Sequence, residues 1–177
     1  GDVNVNLTLF NSTAANVALN ADGSLNTSGG WMSVADAKTL LGKLSIPSNQ
    51  HIEFDGIDIS ALSSYYTNYE VALNVSDDTY AISTPIADQS VAYFISDGVP
   101  NRELSDGDDE ETGYLDQVHV DTWSNFISTN DIDLTVIGIG NNLSMDYLNE
   151  VQVDPDKSAI EVADVTTLTE VMLSTVL

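Results

Sequence analysis

The apolar run over residues 91–95 constrains the fold of this chain more than any other stretch. It contains five consecutive apolar residues, VAYFI, and stops at the polar turn formed by Ser96, Asp97 and Gly98. A second run over residues 134–140 has the same character. Continuous apolar runs of this length are typical of strands covered on both faces, as in a parallel sheet flanked by helices. We therefore expect an α/β protein with both runs as buried strands.

The first third of the chain carries weaker patterns. Alternation of apolar and polar residues over 3–10 predicts a half-buried strand, and residues 17–19 predict a short one. Ser33 is placed to cap a helix whose apolar positions continue to Leu44. Residues 52–59 fit either a strand or an ordered loop, interrupted by an Asp-Gly pair.

From residue 65 onward, helix and strand patterns alternate. The first helix of this series is predicted over residues 67–75, and an apolar helix over 167–177 closes the chain. Such alternation predicts a doubly wound, mostly parallel sheet flanked by helices, with right-handed crossovers. Because no repeat or linker interrupts residues 1–177, we expect a single domain.

Composition excludes several classes of protein. The chain carries 28 Asp and Glu residues against four Lys and Arg residues, for a formal net charge of −24. Four basic side chains cannot form the positive surface that nucleic acids require. Binding to an anionic membrane is disfavoured for the same reason. The absence of cysteine removes disulfides, thiolate metal sites and cysteine nucleophiles, and no apolar run is long enough to span a bilayer. The acidic field suits a chain that concentrates cations or that must stay in solution at high salt.

Two oxygen-bearing side chains stand where an α/β sheet binds its ligands. Asp97 directly follows the strand over 91–95, and Thr67 opens a predicted helix. Open α/β sheets bind ligands at the carboxyl ends of their strands. Carboxylate and hydroxyl oxygens without His or Cys indicate Mg²⁺ or Ca²⁺ rather than zinc. The alternative is that Asp97 only caps a turn and Thr67 only caps a helix, since both uses are common.

The acidic loop over residues 105–116 is a second candidate for cation binding. Asp106, Asp108 and Glu110 alternate like the start of a calcium loop, but Glu111 stands where an EF-hand needs glycine. A solvated acidic face is therefore favoured over a specific calcium site.

Three motifs taken together resemble the von Willebrand factor A family. They are TNYEVAL at 67–73, YFISDGVP at 93–100 and IGIG at 137–140. Their order, spacing and acidic surroundings are most similar to the copies found in giant bacterial adhesins of the RTX type. The resemblance covers nearly the whole chain and implies the Rossmann-like α/β fold expected above.

The resemblance also implies a metal-ion-dependent adhesion site. In the family, a cation is held by an Asp-x-Ser-x-Ser loop, a Thr and an Asp; Thr67 matches the second element and Asp97 the third. The first element is missing, because its nearest imitation, Asp58-Ile59-Ser60, has Leu62 in the place of the last serine. We therefore expect an upstream segment of the same polypeptide to supply the missing first strand and helix, which would make this domain N-terminally incomplete.

These observations predict a function. A cation held by few carboxylates keeps a coordination position open, which a carboxylate from a partner can fill. The resemblance implies Mg²⁺- or Ca²⁺-dependent binding of a protein or other acidic ligand by a large secreted adhesin at the bacterial cell surface. Tyr65, Tyr66, Asn68 and Tyr69 are the predicted ligand contacts, because aromatic residues with polar tips favour binding surfaces. The alternative is a structural stalk module of the adhesin with a non-functional metal site. No nucleophile–base pair supports an enzyme.

Overall fold

The chain folds into two compact units. The computed structural model describes residues 2–47, 51–62, 66–82, 84–101, 115–140 and 143–175. Of these, the first unit contains the residues up to Ile86 together with Asn101. The second unit contains Ala87–Pro100 and the described residues from Leu115 onward.

The first unit is built on a four-stranded antiparallel sheet. Its strands are β1 (Asn4–Phe10), β2 (Ala14–Leu19), β3 (Leu25–Asn26) and β4 (Trp31–Ser33), in the order β3-β2-β1-β4. The β1–β2 hairpin turns over three residues and pairs Leu7 with Val17. The predicted alternation over residues 3–10 is confirmed as β1.

The rest of the first unit follows the sheet in sequence. Helix α1 (Val34–Lys43) leads to a small antiparallel sheet of β5 (Leu44–Ser45), β6 (Glu53–Phe54) and β7 (Ile57–Asp58). A 3₁₀ turn (Ser60–Leu62) and helix α2 (Tyr69–Tyr80) complete it. The segment that fitted either a strand or a loop is thus two short strands.

Local capping signals explain where α1 begins. The Oγ of Ser33 accepts a hydrogen bond from the backbone N–H of Asp36 at 3.1 Å and donates to its carboxylate at 2.8 Å. The first of these bonds satisfies a backbone donor that the first turn of a helix leaves open. The predicted role of Ser33 as N-cap is confirmed.

The core of the first unit lies between its main sheet and α1. Val5, Leu7 and Leu9 of β1 share one face because strand side chains alternate, and all three pack against this core. The buried members of the cluster are Ala15, Val17, Ala18, Met32, Ala37, Leu40, Phe54, Ile59 and Leu62.

The second unit is a three-stranded parallel sheet with helices in its crossovers. Its elements are β8 (Ser90–Ser96), α3 (Gln117–Thr129), β9 (Ile132–Ile139), α4 (Met145–Val151), β10 (Ile160–Val162) and α5 (Val165–Thr175). The strand order is β10-β9-β8. Central β9 is the most buried, as expected from its continuous apolar sequence.

The predicted doubly wound, mostly parallel Rossmann-like sheet is wrong. The largest sheet of the described residues is antiparallel, and the parallel pairing found there is confined to β8, β9 and β10. The physical reason is connection length: β1 and β2 are joined by three residues, whereas a parallel pair needs a crossover of a dozen or more. The alternation predicted from residue 65 onward is confirmed, but it supplies three strands only.

Candidate functional site

Asp97 stands at the carboxyl end of β8 in the second unit. It is the first residue after the strand, and its side chain is exposed. Ser96 shapes the turn, since its Oγ accepts from the backbone N–H of Gly98 at 3.3 Å and lies 3.3 Å from the carbonyl oxygen of Gly98. Within the described part of the chain, the Asp97 carboxylate makes no hydrogen bond or ion pair. Both of its oxygens are therefore available to a ligand.

The neighbouring strands of this sheet end in small or acidic residues. Gly140 follows β9 with a φ of 108°, and its N–H donates to the carbonyl of Val162 at 2.9 Å. Asp164 follows β10 and directly precedes α5. Because β9 separates β8 from β10, their ends lie two strand spacings apart, about 10 Å.

Thr67 lies in the first unit, just before α2. Its N–H donates to the Oδ1 of Asn101 at 2.8 Å, and the N–H of Asn101 donates to the Thr67 carbonyl at 2.9 Å. The backbone of Thr67 is thus fixed on both sides, while its Oγ1 makes no hydrogen bond within the described ranges. The sequence did not identify Asn101 as a partner, because no local pattern links residues 34 positions apart.

The N-cap of α2 is Asn68 rather than Thr67. The Oδ1 of Asn68 accepts from the N–H of Val71 at 3.1 Å, and α2 begins at Tyr69. The predicted start at residue 67 is two residues early, because asparagine and threonine are both good caps and stand side by side. The hydroxyl of Thr67 is consequently not used by the helix.

The predicted ligand contacts divide between surface and interior. Tyr66 is exposed, whereas Asn68 and Tyr69 are 2% and 1% exposed. The ring of Tyr69 packs edge-to-face on Phe10 with centroids 6.2 Å apart. Tyr65 and residues 105–114 of the acidic loop lie outside the described residues.

A polar turn between β1 and β2 anchors the segment before α2, and the sequence did not single it out. Asn11 Oδ1 accepts from the N–H of Thr13 at 3.0 Å, and Asn11 Nδ2 donates to the carbonyl of Leu62. The carbonyl of Asn11 accepts from the N–H of Asn68 at 2.8 Å. The turn therefore holds the end of the 3₁₀ turn and the start of α2 at once.

The imitation of the missing motif lies on a short exposed strand. Asp58 ends β7, and its Oδ2 lies 2.9 Å from Nδ1 of His51. Ser60 opens the 3₁₀ turn instead of a long helix. As expected from the sequence, this segment does not follow a long buried strand.

Few basic side chains offset the acidic ones. Lys43 pairs with Asp55 at 3.0 Å, and Lys157 pairs with Asp133 and, at 3.6 Å, with Asp154. The hydrogen bond to Asp133 raises the pKa of Lys157 above its usual range. With only four Lys and Arg residues in the chain, most carboxylates have no such partner.

A scan of the sequence against protein-family models finds no match, and a search of curated protein sequences finds none either. Over the described residues, no helix combines the length and apolarity that crossing a membrane demands.

Proposed function

We propose that this chain is a metal-ion-dependent ligand-binding module of a large secreted bacterial surface adhesin. The three motifs that resemble the von Willebrand factor A family are the source of this proposal. The observation that supports it best is the Asp97 carboxylate, which is exposed at the end of a parallel strand and has no partner among the described residues. Ligand sites of parallel sheets occur at this position.

The chemistry assigned to the site is the sharing of a cation. A Mg²⁺ or Ca²⁺ ion bound by the Asp97 carboxylate prefers further oxygen ligands, and hydroxyl, carbonyl and water oxygens are all suitable. Neutral ligands leave most of the charge of the ion uncompensated. A carboxylate of a protein or other acidic partner then completes the coordination and bridges the two molecules.

Thermal unfolding with EDTA, MgCl₂ or CaCl₂ at matched ionic strength tests the proposal. We expect one divalent cation to raise the melting temperature of the native chain, because a ligand that binds only the folded state stabilises it. In Asp97→Asn that rise is lost. The matched control is Asp88→Asn, which removes one exposed carboxylate of the same unit and should keep the rise.

The structural stalk module is the competing function, and the same measurement separates the two. A stalk module predicts equal melting temperatures in EDTA and in both cations. Equal loss of the rise in Asp97→Asn and Asp88→Asn would also contradict the proposal, because it would show that the effect of the ions does not depend on Asp97 in particular.

A further inference from the structure

A cleft in the first unit has an apolar floor and an acidic rim. It has a volume of about 580 Å³, within the range of ligand-binding clefts. Leu25, Phe54 and Ile59 line it, and so does Ile57, whose side chain is 72% exposed on the short strand β7. Ile57 therefore extends the apolar floor outward, and a ligand that covers it removes apolar surface from water.

The rim carries three carboxylates, each with one oxygen engaged and one available. Asp22 Oδ1 accepts from the N–H and Oγ of Ser24, at 3.0 and 2.6 Å. The Oδ2 atoms of Asp55 and Asp58 pair with Lys43 and His51. In the part of the chain that the structure describes, the other oxygen of each carboxylate is bonded to no other residue.

The spacing of the carboxylates argues against a bound metal ion. A cation site needs several ligand atoms converging on one point, and within the described ranges these three side chains do not bring theirs within 4.8 Å of one another. Carboxylates distributed around an apolar floor match a ligand whose positive charges are also distributed.

We propose that this cleft binds a basic segment of a partner protein that alternates lysine or arginine with aliphatic residues. An aliphatic side chain would lie on the floor beside Ile57, and flanking ammonium groups would reach the free oxygens of Asp22 and Asp58. Charge complementarity supports this occupant, since the cleft is lined by three carboxylates and one lysine in a chain of net charge −24. All of these residues belong to the first unit, so the inference is independent of Asp97.

Amide chemical shifts of the ¹⁵N-labelled chain test the proposal with two probe peptides. One is acetyl-Lys-Ile-Lys-Ile-Lys-amide, and the matched one has serine in place of isoleucine. We expect the isoleucine peptide to shift the amides of Gly23, Gly56 and Ile57, and to bind about tenfold more tightly than the serine peptide, because only it buries apolar surface. No binding, or equal binding of both peptides, would overturn the proposal.

Substitutions locate the binding and exclude attraction by the overall charge. Asp22→Asn and Asp58→Asn should each weaken the isoleucine peptide about two- to fivefold, as expected for exposed charge pairs. Asp78→Asn, on the exposed surface of α2, removes the same charge outside the cleft and should change little. If Asp78→Asn weakens binding as much as Asp22→Asn, the peptide is attracted by the overall negative charge of the chain and the cleft is not its site.

The apolar contact has its own matched pair. Ile57→Ser should abolish the preference for the isoleucine peptide, whereas Ile82→Ser, 52% exposed and outside the cleft, should retain it. Both side chains are exposed, so neither change is expected to unfold the chain. A preference that survives Ile57→Ser would contradict the placement of the aliphatic side chain.

Discussion

One buried amide, that of Asn16, organises the polar interior of the first unit. Asn16 is 1% exposed, and its Oδ1 accepts from the N–H of Gly30 at 2.9 Å. Its Nδ2 donates to Asn6 Oδ1 and, at 3.2 Å, to Thr8 Oγ1, which also accepts from Ser76 of α2 at 3.0 Å. A buried amide is costly unless its partners are held in place, so the network fixes β1, β2 and α2 together.

Gly29 packs directly against this network and leaves no room for a side chain. Its φ is 84°, and a Cβ at this position would lie 2.4 Å from Asn16 Oδ1. We expect Gly29→Ala to lower the free energy of unfolding by about 1–3 kcal/mol, through backbone strain and loss of the Asn16 hydrogen bonds. Urea unfolding followed by circular dichroism measures the change.

Gly42→Ala is the matched control. Gly42 lies in α1, and a Cβ there meets no atom within 4 Å. Alanine should therefore raise the free energy of unfolding by about 0.5–1 kcal/mol, because glycine is unfavourable inside a helix. Destabilisation of the same size in both variants would show that the packing around Gly29 has no special role.

Helix α2 ends with negative charges, although the dipole of a helix favours positive charges at its carboxyl end. Asp77 lies in its last turn, which contains no basic residue. Partial burial, and to a smaller extent repulsion from Asp78, raises the pKa of Asp77 above its usual 3.8. The charged form is thus disfavoured in the folded state. The resulting destabilisation is complete above the folded-state pKa and disappears below 3.8.

We expect Asp77→Asn to stabilise the chain at pH 7 by about 0.3–1 kcal/mol, the usual size of a charge–dipole term at a helix end. At pH 3 the two proteins should be equally stable, since Asp77 is then protonated. Asp146→Asn, in the first turn of α4, should have the opposite sign at pH 7, because there a carboxylate is favourable. Urea unfolding at both pH values checks this, and a benefit of Asp77→Asn that persists at pH 3 would contradict it.

The positions of helices and strands could be predicted from the sequence better than their pairing. Ser33 and Asp36 predict the start of α1 because the two residues of a helix cap are close in sequence. The continuous apolar run of β9 predicts a buried strand because that pattern is also local. Pairing is not local: no sequence pattern states that β4 pairs with β1, or that Asn101 holds Thr67. The alternation of helix and strand patterns predicted the three parallel strands, whereas the expectation of a doubly wound sheet was wrong for the antiparallel sheet of the first unit.

The whole molecule is dominated by its net charge of −24. Repulsion among carboxylates opposes the compact state, and salt screens it over a Debye length that falls from about 30 Å at 0.01 M to about 3 Å at 1 M. We expect the urea midpoint to rise steadily with NaCl over this range. Tetramethylammonium chloride should give the same rise, because screening does not depend on the identity of the cation.

A flat or falling midpoint would contradict this prediction. A rise with NaCl alone would instead indicate a site specific for sodium. The comparison also sets the baseline for Mg²⁺ and Ca²⁺, since a specific effect of either must exceed screening at equal ionic strength.

The three-residue turn between β1 and β2 has a consequence for the order of folding. A hairpin closed by so short a turn forms within about 1–10 μs, whereas β8 must find a partner that lies far along the chain, with Ser90 pairing with Ile132. Pairings between residues far apart in sequence form slowly, because the entropy cost of closing the loop comes before the stabilising contacts are made. During synthesis, β1 and β2 are made before β9, so we expect the antiparallel sheet to assemble before the parallel sheet.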